Sequence, residues 1–117
     1  MLVADPALAD AITERGLRLP PAVGRVLLSN LAGWDAGEVP SALDAVGVPL
    51  LAIQATTMDT TRQRVLLSAG LRSPWLDLVR AHVPEAEVVV LSGSGHFPQI
   101  ERADEISDLI AGFAGIG

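Results

Sequence analysis

The sequence predicts an α/β protein in which amino-terminal helices precede a β-α-β-α unit with two parallel strands. Two apolar runs, Val48–Ala55 and Glu87–Leu91, show little polar alternation, which is typical of parallel strands buried on both faces. A segment with helical spacing of its apolar residues follows each run. The chain has 117 residues, the usual size of one domain, so residues 1–117 are interpreted as a single domain.

Residues 1–46 form the helical part of this prediction. Asp5 followed by a proline is a typical helix start, and the apolar residues that follow recur at helical spacing. The predicted elements are a helix over 6–15, a second amphipathic helix over 23–31, a loop over 33–40 and a short helical turn over 41–46.

Residues 47–117 form the predicted β-α-β-α unit. Ser73 followed by a proline predicts the start of the helix between the two strands, and that helix ends before Pro84. Apolar residues at helical spacing predict the last helix, with Asp104 in its positive first turn. The segment over 60–70 is ambiguous, because its pattern fits a helical turn or an irregular loop.

Composition excludes several classes of function. The net charge is −6, whereas a nucleic-acid surface needs a basic patch. The absence of cysteine excludes disulfides and thiolate metal sites, and no histidine or carboxylate cluster has metal-ligand spacing. No apolar run approaches the ~18 residues of a membrane span, so we expect a cytoplasmic protein that binds neither membrane nor nucleic acid. No cofactor motif is present.

The most informative motif is the loop Gly93–Phe97, which follows the second apolar run and contains His96. A histidine on a loop at the end of a buried strand is held by a rigid scaffold and is open to a ligand. An imidazole suits general-base catalysis, because its unperturbed pKa is ~6.5. Asp59 follows the first strand in the same way, so a carboxylate and an imidazole are expected at one edge of the sheet.

Residues 48 to 114 resemble the carboxyl-terminal part of the α/β-hydrolase fold. The matching stretches are VPLLAIQ with the acid loop that follows it, SPWLDLVRAHVPEAEVVVLSGSGHFPQIE, and ADEISDLIAGFA. Residues 2–31 loosely resemble the helical cap of these enzymes. The resemblance implies hydrolysis of small esters or lactones without a cofactor. It also implies that His96 takes the proton of a serine nucleophile and that Asp59 is the triad acid.

The family places its nucleophile on a Gly-x-Ser-x-Gly elbow, and the order along the chain is nucleophile, acid, histidine. This sequence contains no Gly-x-Ser-x-Gly and no amino-terminal HGGG-like segment for an oxyanion hole. We therefore expect a carboxyl-terminal fragment of a hydrolase that is inactive alone and acts on an ester-like substrate only when the missing half completes it.

Alternative roles remain open for several residues. Asp59 could instead form an Asx-turn or the N-cap of a helix. Asp77 is a poor substitute as the acid, because it lies on a helix face. The stretch Gly33–Gly37 has the glycine spacing of an elbow with Asp35 as nucleophile, although a helix rather than a strand is predicted before it. His82 is predicted at the carboxyl end of a helix, where a cation is mildly favoured.

A second hypothesis belongs to a different class of protein. Two parallel strands leave unpaired backbone groups on both flanks, and such edges recruit other strands. Hydrophobic residues make up 50% of the chain, which is more than so short a chain readily covers. The alternative to a hydrolase fragment is thus a non-catalytic α/β module that forms a homo-oligomer through its strand edges.

Overall fold

The structure is a computed structural model that describes residue 3 and residues 5–115. The helices are α1 (Pro6–Leu17), α2 (Pro21–Gly37), α3 (Val39–Asp44), α4 (Pro74–His82), α5 (Pro98–Glu101) and α6 (Ala103–Phe113). The strands are β1 (Leu51–Gln54), β2 (Thr56–Met58), β3 (Arg64–Leu66) and β4 (Glu87–Val90). Among these residues, no helix is both long enough and apolar enough to cross a membrane.

Strands β1 and β4 form a two-stranded parallel sheet in which Leu51 pairs with Glu87 and Gln54 with Val90. Helix α4 lies between them in the chain, as expected for a crossover between parallel strands. The prediction of a mixed α/β chain with two parallel strands is confirmed. Because the strands are parallel, the segments after Gln54 and after Val90 leave the sheet at the same end.

A second sheet, which the sequence did not predict, is the antiparallel hairpin of β2 and β3. Its register pairs Thr56 with Leu66 and Met58 with Arg64, so residues 59–63 form the turn. The first strand, predicted over 48–55, covers only Leu51–Gln54. At its end the chain bends at the buried Ala55 and enters the hairpin. The ambiguous segment over 60–70 is therefore mostly strand and turn.

The prediction of a loop over 33–40 is wrong, because α2 continues to Gly37 and α3 starts at Val39. Gly33 is tolerated inside the helix, where it costs stability but does not end it. Pro40 occupies the first turn of α3, where the missing backbone N–H has no helical partner to lose.

The hydrophobic core lies between the β1–β4 sheet and helices α3 and α4. Its buried members are Val39, Leu43, Ala52, Leu76 and Val79, with partly buried side chains from Leu50, Leu78, Val83, Ala86, Val88 and Val90 around them. The side chain of Ser73 fixes the start of α4: its Oγ accepts from the backbone N–H of Leu76 at 3.4 Å and donates to Gln54 Oε1 at 2.5 Å. The bond to Gln54 joins the helix start to the end of β1.

Helices α1 and α2 contribute no buried residue to this core. Helix α2 instead exposes large apolar side chains: Val23, Val26, Leu27, Leu28, Leu31 and Trp34. The chain has an accessible surface of 8204 Å², whereas a folded monomer of 12.2 kDa exposes about 6,100 Å². Its radius of gyration is 15.8 Å, against about 13 Å for a compact chain of this length. The amino-terminal third is thus folded into helices but packed on little else.

Candidate functional site

His96 lies on the loop that connects β4 to α5. Gly93 makes the turn of this loop with a φ of 77°, in the left-handed region that favours glycine. Arg102 holds the loop, because its Nη1 donates to the carbonyl oxygen of Ser92 at 2.8 Å. The Phe97 ring contacts the His96 ring edge-on, with the centroids 5.0 Å apart. The imidazole is therefore exposed at the end of the parallel sheet but fixed by its neighbours.

The partner of His96 across the sheet end is Thr56, the first residue of β2. The Oγ1 of Thr56 lies 3.2 Å from His96 Nδ1, and Arg64 Nη1 donates to the same oxygen at 3.1 Å. Thr56 is buried and Arg64 is half-buried. The hairpin creates this cluster, because it folds Arg64 of β3 back beside the strand that begins at Thr56.

The electrostatics of this cluster differ from those of a catalytic triad. Loss of water around the ring, followed by the positive charge of Arg64, lowers the pKa of His96. A triad places a carboxylate at Nδ1, which stabilises the imidazolium and holds the proton on that nitrogen. Here a guanidinium, which can only donate, bonds the Thr56 oxygen, so the hydroxyl proton is available to Nδ1. This arrangement favours the tautomer protonated on Nε2, which is the opposite of the tautomer of a general base.

Asp59 lies in the turn of the β2–β3 hairpin rather than beside His96. Its Oδ1 accepts hydrogen bonds from the backbone N–H of Thr61, the hydroxyl of Thr61 and the backbone N–H of Gln63, at 2.8, 2.7 and 2.9 Å. These bonds, led by that of the Thr61 hydroxyl, lower the pKa of Asp59. The structure gives Asp59 the Asx-turn role that the sequence analysis stated as the alternative.

The two predicted site residues also open onto different cavities. A cavity of about 240 Å³ is lined by Ile53, Gln54, Ala55, Thr56, Arg64, His96, Pro98 and Gln99. Asp59 lines a separate cavity of about 330 Å³ together with residues of β2, β3 and the start of α4. Asp59 lies three residue steps beyond Thr56, the residue that contacts His96, and in extended strand these steps span about 10 Å. The predicted bond between Asp59 and His96 is absent from the described part of the chain.

Of the three remaining candidates, two have structural partners and one lies inside a helix. His82 Nδ1 lies 2.6 Å from Asp44 Oδ1, which joins the end of α4 to the end of α3. Asp35 lies inside α2, so its glycine-flanked stretch does not follow a strand as an elbow requires. Asp77 is in the first turn of α4 and forms a salt bridge of 3.1 Å with Arg72.

Thr56 and Arg64 were not among the site residues predicted from the sequence. Thr56 was visible as a polar residue directly after the first strand, but Arg64 reaches His96 only through a hairpin that no periodicity indicated. Within residues 5–115, no group of three or more side chains could hold a metal ion.

Comparison of the chain with protein-family models, with curated proteins and with solved structures found no match. The resemblance to α/β-hydrolases therefore stays a prediction from the sequence. The site itself is a loop histidine hydrogen-bonded to a threonine that a half-buried arginine also contacts.

Proposed function

We propose that this chain is the carboxyl-terminal part of an α/β-hydrolase of the serine ester or lactone class and is inactive alone. The observation that carries the proposal is the position of His96 after β4, with its Nδ1 against Thr56 of the segment that follows β1. Catalytic residues at the carboxyl ends of parallel strands converge at one edge of the sheet in open α/β folds. A histidine in this place is accessible to a nucleophile delivered by another segment.

The geometry of the acid supports inactivity of the isolated chain. The Asp59 carboxylate can reach His96 only after its three bonds to the turn break. The positive charge of Arg64 meanwhile disfavours the imidazolium form of His96. In the described state the chain supplies a histidine without its acid, its nucleophile or its oxyanion hole, and loss of a triad serine alone costs about 10⁶-fold in kcat.

A fluorophosphonate probe tests the proposal in two steps. The purified chain is expected to show no stoichiometric labelling and no turnover of a chromogenic ester. The coding region upstream of Met1 is expected to contain an in-frame Gly-x-Ser-x-Gly segment, and the longer chain should be labelled at its serine. His96→Ala should abolish that labelling, while the matched control His82→Ala should retain it. Labelling of the short chain, an upstream region without an elbow, or labelling that survives His96→Ala would each contradict the proposal.

We propose as the second candidate a non-catalytic module that self-associates as a homodimer. Within the described residues the parallel sheet consists of β1 and β4 alone, so each strand has one edge without a strand partner. The accessible surface exceeds that of a compact monomer by about 2,100 Å², and a standard interface buries about 800 Å² from each partner. An interface of that size, formed by strand edges and the apolar side chains of α2, would cover about 800 Å² of this excess.

Size-exclusion chromatography with light scattering measures the association directly. The expected result is a dimer whose melting temperature rises with protein concentration, because a partner that binds only the folded state stabilises it. A monomer at all concentrations with a sharp, concentration-independent transition would contradict self-association. That result would not bear on the hydrolase proposal, which the labelling experiment tests separately.

A further inference from the structure

We infer that the cavity of about 240 Å³ beside Arg64 and His96 binds a small carboxylate, such as a short-chain fatty acid. This inference goes beyond the proposed hydrolase function and does not depend on it. It requires only the cluster of Arg64, Thr56 and His96, whose contacts are already formed in the isolated chain.

Arg64 has no carboxylate partner within the described residues. Carboxylates of the described residues pair with Arg18, Arg72, Arg80, Arg102 and His82. Within the same residues no carboxylate lies within salt-bridge distance of Arg64, although this side chain is half-buried and the chain carries an excess of acidic residues. A charge that is partly removed from water without an opposite charge loses part of its hydration, and an anion in the cavity would offset that loss.

Arg64 and His96 supply hydrogen-bond donors at the wall of the cavity. Arg64 and His96 both contact Thr56 Oγ1, at 3.1 and 3.2 Å, which keeps the guanidinium and the imidazole within about 6 Å of each other. The guanidinium fork matches the two oxygens of a carboxylate. The tautomer that Thr56 favours gives His96 an N–H donor on Nε2, so the ring can donate while it is neutral.

The size of the cavity and the polarity of its walls fit a small carboxylate with an alkyl chain. Pockets for drug-sized ligands measure about 300–1,000 Å³, so a cavity of about 240 Å³ fits a smaller molecule. Its walls include the apolar side chains of Ile53, Ala55 and Pro98, which suit a short alkyl chain. Among the described residues that line the cavity, Arg64 carries the one full positive charge, which matches a monoanion better than a phosphate dianion. Together these features favour a short-chain carboxylate over other anions.

The test uses butyrate and the NMR signals of the two histidine Cε1–H groups, one at His96 and the other at His82. Butyrate is expected to shift the His96 signal saturably and to raise the pKa of His96, because a bound anion favours the imidazolium. The His82 signal is the internal reference and should not follow the same curve. Butyramide and sodium chloride at equal ionic strength should produce no saturable shift.

Two variants test whether butyrate shifts the His96 signal by binding in the cavity. Arg64→Gln is expected to weaken butyrate binding by about tenfold or more, the equivalent of one charge-assisted hydrogen bond. Arg62→Gln makes the same change of charge in the same hairpin, where the side chain is exposed, and should bind butyrate as the wild type does. If Arg64→Gln does not fold, the comparison of butyrate with butyramide on the wild-type chain still tests whether the cavity binds a carboxylate.

Three outcomes would overturn the inference. The first is a His96 shift that sodium chloride or butyramide reproduces, and the second is equal binding by Arg64→Gln and Arg62→Gln. The third is tighter binding of a blocked aspartate, N-acetyl-aspartate amide, than of butyrate. That last result would mean that the cavity receives a carboxylate side chain of another polypeptide segment rather than a free short-chain acid.

Discussion

The segment from Val39 to Leu91 and the two amino-terminal helices are stabilised in different ways. Every buried hydrophobic residue of the described chain lies within that segment. Helices α1 and α2 together span residues 6–37 with one short break and bury none of their side chains. The first region is held by a shared core, whereas the second is held by helical hydrogen bonds and, in α1, by the Asp5 cap.

This difference shows that amphipathic pattern alone does not produce a packed helix. The apolar side chains of α2 recur at helical spacing as those of α4 do, yet α4 buries Leu76 and Val79 in the core and α2 buries no residue. Helix stability in proteins comes mostly from packing of an apolar face. Helix α2 therefore leaves its apolar side chains exposed within the described residues.

The largest expected effect is the loss of a core side chain. Leu76 is 1% exposed and belongs to the cluster between α4 and the sheet. Leu76→Ala is expected to lower the free energy of unfolding by about 2–5 kcal/mol, because it removes apolar burial and leaves a cavity. Leu28→Ala in α2, where the side chain is 69% exposed, should change it by less than about 0.5 kcal/mol. Urea unfolding followed by circular dichroism measures both, and equal losses would contradict the comparison.

The helix caps give a second, smaller contrast between the two regions. Ser73→Ala removes the N-cap of α4 and a part-buried bond to Gln54, so we expect a loss of about 1–2 kcal/mol. Asp5→Ala removes the corresponding cap of α1, where the carboxylate accepts from the Ala7 N–H at 2.9 Å. Because α1 lies outside the core, this change should reduce helicity. The free energy of the cooperative unfolding transition should stay within about 0.5 kcal/mol of wild type. An equal shift of the transition by Asp5→Ala would show that α1 unfolds with the core.

The turn role of Asp59 predicts a pH-dependent effect. The folded pKa of Asp59 is lowered, so its contribution to stability is present above the unfolded pKa near 3.8 and is lost as pH falls through the folded pKa. Asp59→Ala should therefore melt at a lower temperature than wild type at pH 7, and the two curves should converge below pH 4. Melting curves from pH 7 to pH 3 measure this. A difference that grows toward low pH would contradict the turn role.

The smallest expected effect concerns the protonation of His96. Arg64→Gln should raise the pKa of His96 toward its ordinary value, because it removes the nearby positive charge. Asp59→Asn should leave that pKa unchanged, since its carboxylate belongs to the turn. An NMR titration of the Cε1–H signal measures both variants. A fall in the His96 pKa with Asp59→Asn would place the carboxylate beside the imidazole after all.

The sequence was informative where a local signal determines the structure. Asp5 and Ser73, each followed by a proline, marked the starts of α1 and α4, and both cap as predicted. The apolar run before the Gly93–Phe97 loop indicated β4 and its parallel pairing with β1. Each of these signals lies within a few residues of the element that it predicts.

The hairpin was not predictable in the same way. Strands β2 and β3 have three residues each, which is too short for alternation to appear. Their pairing brings Arg64 to Thr56 and hence to His96, and it places Asp59 in a turn. The position of His96 could be predicted from its motif, whereas its partners depend on contacts between residues far apart in the chain.

Native-state hydrogen exchange tests whether the segment from Val39 to Leu91 unfolds as one cooperative unit and whether α1 and α2 unfold independently of it. At low protein concentration, amides of β1, β4 and α4 should exchange with the free energy of global unfolding, while amides of α1 and α2 exchange through far smaller local openings. Equal protection of α2 and α4 in the monomer would contradict the account.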